Sequence, residues 1–272
     1  MKKDAQLVDL FLKGYGVLTN RKLELKERPD ERERKEPAID AMAQDEKGNT
    51  LAIEHTLVQP FEGQKSDDQP FNAVFERLSK EASLLPAGRL VELWAPAFAI
   101  PKGVDWQDVG DKVFVWFKET SASFPRDGEA SYKVPGLSFE LTLRVQTMEV
   151  PDTPGLVAPG RIMPKDRPFA DVIHKALAGK LPKLAATSGD ARILLLEDAS
   201  MALGLTQVAR ALDSCQSSFE EMKQIESIWL ALTATWQNGR QIWFFHVWPG
   251  GVRERFLLKV DTMEIQIPNR KG

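Results

Sequence analysis

Residues 37–58 read PAIDAMAQDEKGNTLAIEHTLV, and the fold of the chain is built outward from this stretch. Two short, mostly apolar segments, 37–43 and 50–58, flank the sequence DEKGN, which has the composition and length of a hairpin turn. The pattern predicts a β-hairpin. Asp40 and Glu54 are the acidic residues that interrupt its two apolar strands.

The length of the turn decides where these two acids point. If residues 45–49 form the loop, Gln44 faces Thr50, and counting outward places Asp40 opposite Glu54 on one face of the sheet. Thr56 shares that face because side chains alternate along a strand. A four-residue loop would instead place the two acids on opposite faces.

Two facing carboxylates indicate a cation site. Their repulsion is costly in a partly buried setting unless a cation lies between them or one is protonated. A divalent ion is the simplest resolution, and Mg²⁺ is normally held by one or two carboxylates together with waters and a substrate phosphate. The alternative is an ordinary half-solvated hairpin whose acids are in contact with water.

The rest of the chain alternates between helical and strand patterns, which predicts an α/β protein with a mixed central sheet flanked by helices. Predicted helices lie at 4–14, 70–85, 106–119, 166–186 and 205–212. Predicted strands lie at 89–94, 137–147, 192–196, 228–234 and 242–247, and a Pro/Gly-rich loop is predicted at 151–164. Residues 1–272 are predicted to form a single domain in which the segment 96–164 is inserted.

Composition limits the classes of function. The chain has 272 residues and a net charge of −3, so no global positive field attracts nucleic acid or anionic lipid, and any such binding must be local. Its single cysteine, Cys215, excludes an intramolecular disulfide and any site built from several cysteines. We expect a cytoplasmic protein without a membrane segment, in which Cys215 is buried.

The hairpin resembles the PD-(D/E)XK nuclease superfamily, which has a restriction-endonuclease-like fold. The similarity lies in Pro37 to Asp40, followed after thirteen residues by Glu54-His55-Thr56 at the end of an apolar strand. The surrounding order of a helix, strands, the helix at 166–186 and the strand at 192–196 also fits. The resemblance implies that Asp40 and Glu54 bind Mg²⁺ or Mn²⁺ and that the substrate is DNA or RNA.

The resemblance also assigns the position of the family's lysine, which stabilises charge or activates water. Thr56 occupies that position here, which removes the positive charge. Lys65 is a candidate for a migrated lysine, so the predicted catalytic set is Asp40, Glu54, Thr56 and Lys65. The alternatives are a catalytically inactive binding or interaction module, and a subunit whose lysine or nucleic-acid surface comes from a protein partner. The oligomeric state stays open.

His55 is predicted to lie outside the cation site. It alternates with Leu51, Ile53 and Leu57, which places it on the opposite, apolar face from Glu54. We therefore expect a core histidine with a hydrogen-bond partner rather than a metal ligand.

Overall fold

The structure is a computed structural model that describes residues 3–32, 38–61, 63–81, 84–147, 155–164, 169–199, 203–233 and 241–268. The chain divides into two compact units: unit 1 comprises Met1–Val58 and Arg167–Gly272, and unit 2 comprises Gln59–Asp166. The predicted inserted segment, 96–164, lies within unit 2, which also takes in residues 59–95.

Helices and strands alternate along the described chain. Unit 1 begins with α1 (Lys3–Thr19), β1 (Glu24–Glu27), α2 (Pro29–Arg32), β2 (Ala41–Gln44) and β3 (Thr50–Leu57). Unit 2 contains α3 (Gln64–Lys80), β4 (Arg89–Pro96), α4 (Trp106–Thr120), β5 (Gly128–Lys133), β6 (Glu140–Thr147) and β7 (Leu156–Ile162). Unit 1 resumes with α5 (Phe169–Ala178), α6 (Leu181–Ala186), β8 (Ala191–Asp198), α7 (Leu205–Cys215), β9 (Ser227–Leu232), β10 (Gln241–Trp248), β11 (Arg255–Lys259) and β12 (Glu264–Gln266).

Unit 1 is built on an eight-stranded mixed sheet in the order β1-β2-β3-β8-β9-β10-β11-β12. The neighbours β3, β8 and β9 are parallel, and the other pairs are antiparallel. The predicted α/β class with a helix-flanked mixed sheet is confirmed. The central strand β8 carries consecutive apolar residues because it is buried on both faces.

The two faces of this sheet have separate cores. On one face α1 packs against the inward residues of β3 and β8, among them Ile53 and Leu195. On the other face α5, α6 and α7 pack against Ala52 and Leu194, with Cys215 buried there as predicted. Glu54 has the same alternation parity as Ala52, so it lies on the α5–α6–α7 face.

The hairpin has the predicted five-residue loop. Gln44 pairs with Thr50 and Ala41 pairs with Ile53. The loop is held by Asp45, whose carboxylate accepts hydrogen bonds from the backbone N–H groups of Lys47 and Asn49 and from the Asn49 side chain. Local side-chain hydrogen bonds of this kind fix the geometry of the turn, and the length of the turn sets the register of both strands.

The prediction of one helix over 166–186 is wrong in one respect, because the segment forms two helices, α5 and α6. It breaks at Gly179–Lys180, where Lys180 precedes α6 with a non-helical backbone (φ −124°, ψ −38°). Pro182 follows in the first turn of α6, a position that suits proline because the missing N–H has no helical partner there. The break changes the direction in which the lysines of this segment point.

Unit 2 has a four-stranded sheet, β5-β6-β4-β7, whose core includes residues of α3 and α4. The loop predicted at 151–164 is wrong over Leu156–Ile162, which forms β7 and pairs in parallel with β4. An edge strand tolerates Pro159, and Gly160 is needed because a Cβ there would lie 2.8 Å from the Trp94 ring. The helix predicted from residue 70 begins at Gln64, after Gly63 with φ 81°.

None of the helices in the described ranges combines the length and the apolar composition that are needed to cross a membrane.

Packing of α1 on the sheet predicts an unusual effect of a glycine substitution. Gly14→Ala in a helix interior would normally stabilise the protein by about 1 kcal/mol. Here the new Cβ would overlap the ring of Phe256 in β11, so we expect a net loss of about 1–3 kcal/mol in the free energy of unfolding. Urea denaturation measures it, with the exposed Lys13→Ala as the control. A Gly14→Ala chain more stable than the native one would contradict this packing.

Candidate functional site

The predicted acid pair is brought together at the open end of the hairpin. Asp40 lies one residue before β2 and therefore opposite Glu54, since Ala41 pairs with Ile53. An oxygen of Asp40 (Oδ2) accepts the backbone N–H of His55 at 2.6 Å. The negative charge of Asp40 also contributes to raising the pKa of Glu54. The two carboxylates therefore interact electrostatically across the strand pair.

Two lysines that the sequence did not place in the site bind Glu54. Lys180 Nζ lies 2.5 Å and Lys183 Nζ lies 2.7 Å from the same oxygen, Glu54 Oε1. Lys183 belongs to α6, and Lys180 immediately precedes it. Three-residue spacing puts both on one side of this segment, and α6 packs on the face of the sheet that carries Glu54. Gly179 and Pro182 are the sequence signal that could have indicated a break in the predicted helix, and with it a changed position of these lysines.

Glu54 is the most deeply buried charge in this cluster. Its side chain is 0% exposed, and its Oε2 atom has no hydrogen-bond partner in the described part of the chain. Burial is the largest influence on Glu54 and raises its pKa above the ordinary value. The charge of Asp40 raises it further, while hydrogen bonds from Lys180 and Lys183 lower it by less.

The lysines change the electrostatic interpretation of the acid pair. The sequence identified a divalent ion as the simplest way to relieve the repulsion between Asp40 and Glu54. The structure supplies two ammonium groups for the same purpose, so charge balance alone does not require a metal ion.

The donor set still fits a divalent cation. Glu54 Oε2 is a buried carboxylate oxygen without a hydrogen-bond partner among the described residues, and Asp40, opposite Glu54 in the strand pair, supplies a second carboxylate. The described residues contain no cluster of three or more His, Cys, Asp or Glu side chains that could hold a metal. Two carboxylates supplemented by water are nevertheless a normal set for Mg²⁺, which keeps several of its waters.

The other two predicted site residues have different positions. Thr56 is half-buried, pairs with Leu196 of β8, and lies on the same face as Glu54 by alternation along β3. Lys65 belongs to α3 in unit 2, and its side chain lies outside the described residues. Its predicted role therefore stays a prediction.

His55 connects the site to a buried polar network on the opposite face of the sheet. Its ring Nε2 lies 3.1 Å from Glu197 Oε2, and the hydroxyl of Thr233 donates to Glu197 Oε1 at 2.5 Å. The prediction of a buried histidine with a hydrogen-bond partner is confirmed. One residue thus holds Asp40 through its backbone N–H and anchors β3 to β8 through its side chain.

The raised pKa of Glu54 gives a pH dependence with a definite sign. The folded chain binds a proton at Glu54 at higher pH than the unfolded chain does, so the contribution of Glu54 to stability increases as the pH falls. We expect the free energy of unfolding of the native chain, relative to Glu54→Gln, to rise as the pH falls through the raised pKa of Glu54 and to level off below the ordinary pKa of 4.5. Urea denaturation of both chains across this range measures the difference. A difference that shrinks on acidification would mean that the two lysines outweigh burial.

Asp40, Glu54, Lys180 and Lys183 form one charged cluster on the α5–α6–α7 face of the sheet, level with the middle of β3 and β8, where Glu54 pairs with Leu194. Comparison of the chain with models of known families, with curated proteins and with solved structures finds no match in any of the three.

Proposed function

We propose that the protein is a PD-(D/E)XK-like phosphodiesterase that binds Mg²⁺ or Mn²⁺ at Asp40 and Glu54 and hydrolyses DNA or RNA. The observation that carries the proposal is the cluster around Glu54. It combines two carboxylates, a carboxylate oxygen that has no partner in the described part of the chain, and two ammonium groups within hydrogen-bond distance of Glu54.

The order of elements in unit 1 supports a restriction-endonuclease-like arrangement. Helix α1 is followed by strands β1, β2 and β3, then by α5 and α6, and then by β8, which is parallel to β3. This is the order of helix, strands, helix and buried strand on which the resemblance in the sequence rests. Glu54 is the fifth of the eight residues of β3, where Lys183 of α6 and Lys180 just before it reach its carboxylate.

The two lysines supply the positive charge that Thr56 lacks. A family lysine on β3 would lie two residues after Glu54, whereas here the ammonium groups reach Glu54 from α6 and the residue before it. An ammonium group beside the carboxylates can donate hydrogen bonds to phosphate oxygens and stabilise the charge that develops during hydrolysis.

The residues of the site have distinct tasks in the proposed reaction. Asp40 and Glu54 hold the cation through carboxylate oxygens, and the backbone N–H of His55 fixes the orientation of Asp40. A divalent cation supplies Lewis acidity toward the phosphodiester and lowers the pKa of water. The side chains of Lys180 and Lys183 are 27% and 19% exposed, so solvent and an incoming phosphate have access to this side of the cluster.

Substitution of either acid tests the proposal. We expect Asp40→Asn and Glu54→Gln each to reduce Mg²⁺- or Mn²⁺-dependent cleavage of single- and double-stranded DNA and RNA by about 100-fold or more, because each removes several kcal/mol of transition-state stabilisation. Gel assays measure the cleavage, and circular dichroism confirms the fold. The matched control is Glu46→Gln, an exposed acid in the loop of the same hairpin. Native cleavage that both substitutions leave unchanged would refute the assignment.

The alternative is a catalytically inactive module of the same fold that binds a partner. One observation favours it: Lys180 and Lys183 balance the charges of Asp40 and Glu54 without any metal ion. Calorimetry separates the two proposals. A folded chain that binds neither Mg²⁺ nor Mn²⁺ supports the module and rules out the metal-dependent enzyme.

A further inference from the structure

The two lysines that contact Glu54 are held in different ways. Lys183 Nζ binds Glu54 Oε1 and also donates a hydrogen bond to the carbonyl oxygen of Ala38 at 2.7 Å. Within the described residues, the ammonium group of Lys180 has a hydrogen bond to Glu54 alone. Lys183 is therefore bound at two points and Lys180 at one.

The local backbone makes the same distinction. Lys183 lies inside α6, whose residues Leu181 and Leu184 are fully buried in the core against the sheet. Lys180 lies at the junction between α5 and α6, directly after Gly179, and its side chain is the more exposed of the two. The side chain of Lys180 can turn toward solvent without moving a packed helix.

Repulsion between the two ammonium groups favours the release of one of them from Glu54. Both lie within hydrogen-bond distance of a single oxygen, so each is close to another positive charge. A divalent cation at Asp40 and Glu54 Oε2 would add more positive charge beside them. Lys180 has the lower cost of leaving, because its ammonium group contacts Glu54 alone among the described residues and its side chain is more exposed to water than that of Lys183.

We propose that Lys180 is an exchangeable counter-ion of Glu54, which leaves when a divalent cation binds and then becomes available to a substrate phosphate, whereas Lys183 remains as a clamp. The clamp joins Glu54 to the carbonyl of Ala38 and so holds the segment that carries Asp40. This inference rests on the proposed function for the existence of a cation site, and it assigns different roles to two lysines that share one oxygen.

Chemical labelling of lysines tests the exchange in the native chain. Calorimetry first establishes Mn²⁺ binding, and acetylation by an N-hydroxysuccinimide ester is then measured by mass spectrometry with and without saturating Mn²⁺. We expect the labelling rate of Lys180 to rise severalfold with Mn²⁺, while the rates of Lys183 and the exposed control Lys175 stay the same. An unchanged rate at Lys180, or an equal rise at Lys183, overturns the assignment.

Two variants give a second readout that does not depend on catalysis. Lys180→Met should bind Mn²⁺ about fivefold or more tightly than the native chain, because it removes a competing positive charge. Lys183→Met should bind Mn²⁺ more weakly, because the segment before Asp40 loses its clamp, and Lys175→Met should bind it as the native chain does. Equal effects of Lys180→Met and Lys183→Met would refute the division of roles. The labelling test remains decisive if Lys183→Met does not fold.

The outcomes separate this inference from the proposed function. A native chain that binds no divalent cation overturns both. A native chain that binds Mn²⁺ and cleaves nucleic acid, but shows constant labelling of Lys180 or no tighter binding in Lys180→Met, overturns the exchange and leaves the enzyme intact.

Discussion

The burial of the Glu54 carboxylate is the constraint on which the site and its surroundings depend. An isolated charge removed from water costs several kcal/mol even after the protein relaxes around it. Glu54 is fully buried, so the fold must supply compensation, and it does so with Lys180 and Lys183. These lysines reach Glu54 only because α6 is packed against the sheet by Leu181 and Leu184. The packing of one short helix and the ionisation of one carboxylate therefore depend on each other.

Strand β3 carries different polar chemistry on its two faces. Glu54 points toward α6, while His55 points toward the α1 side and binds Glu197 of β8. A strand buried on both faces usually carries apolar residues throughout, as β8 does over most of its length. In β3, Glu54 and His55 instead each have a charged partner from another element. The backbone N–H of His55 adds a bond to Asp40, which links both faces to the same acid pair.

The sequence predicted the local half of the site well. The loop of the hairpin is set by Asp45 and its neighbours, so the register and the opposition of Asp40 to Glu54 could be read from composition and parity. The contacts of the two lysines with Glu54 could not be predicted in this way. Lys180 is 126 residues away from Glu54 in the chain and meets it only through tertiary packing. Strand β7 was missed for a related reason. Its proline and glycine indicate a loop locally, but its edge position and the nearby Trp94 ring accommodate them.

Stability alone does not account for this cluster. A buried ion pair is often neutral or unfavourable compared with well-packed apolar residues, so its presence is weak evidence of a stabilising role. Unit 2 contains an ion cluster with a structural arrangement. The guanidinium of Arg161 binds Asp67 and Asp68 and stacks over the Phe71 ring at 3.8 Å. Arg161 therefore contributes packing as well as charge. At Glu54, two ammonium groups share one carboxylate oxygen, while the other has no partner among the residues that the structure describes. That imbalance is costly in a purely structural site and useful in one that exchanges its cations, which is why we favour a chemical role for the cluster.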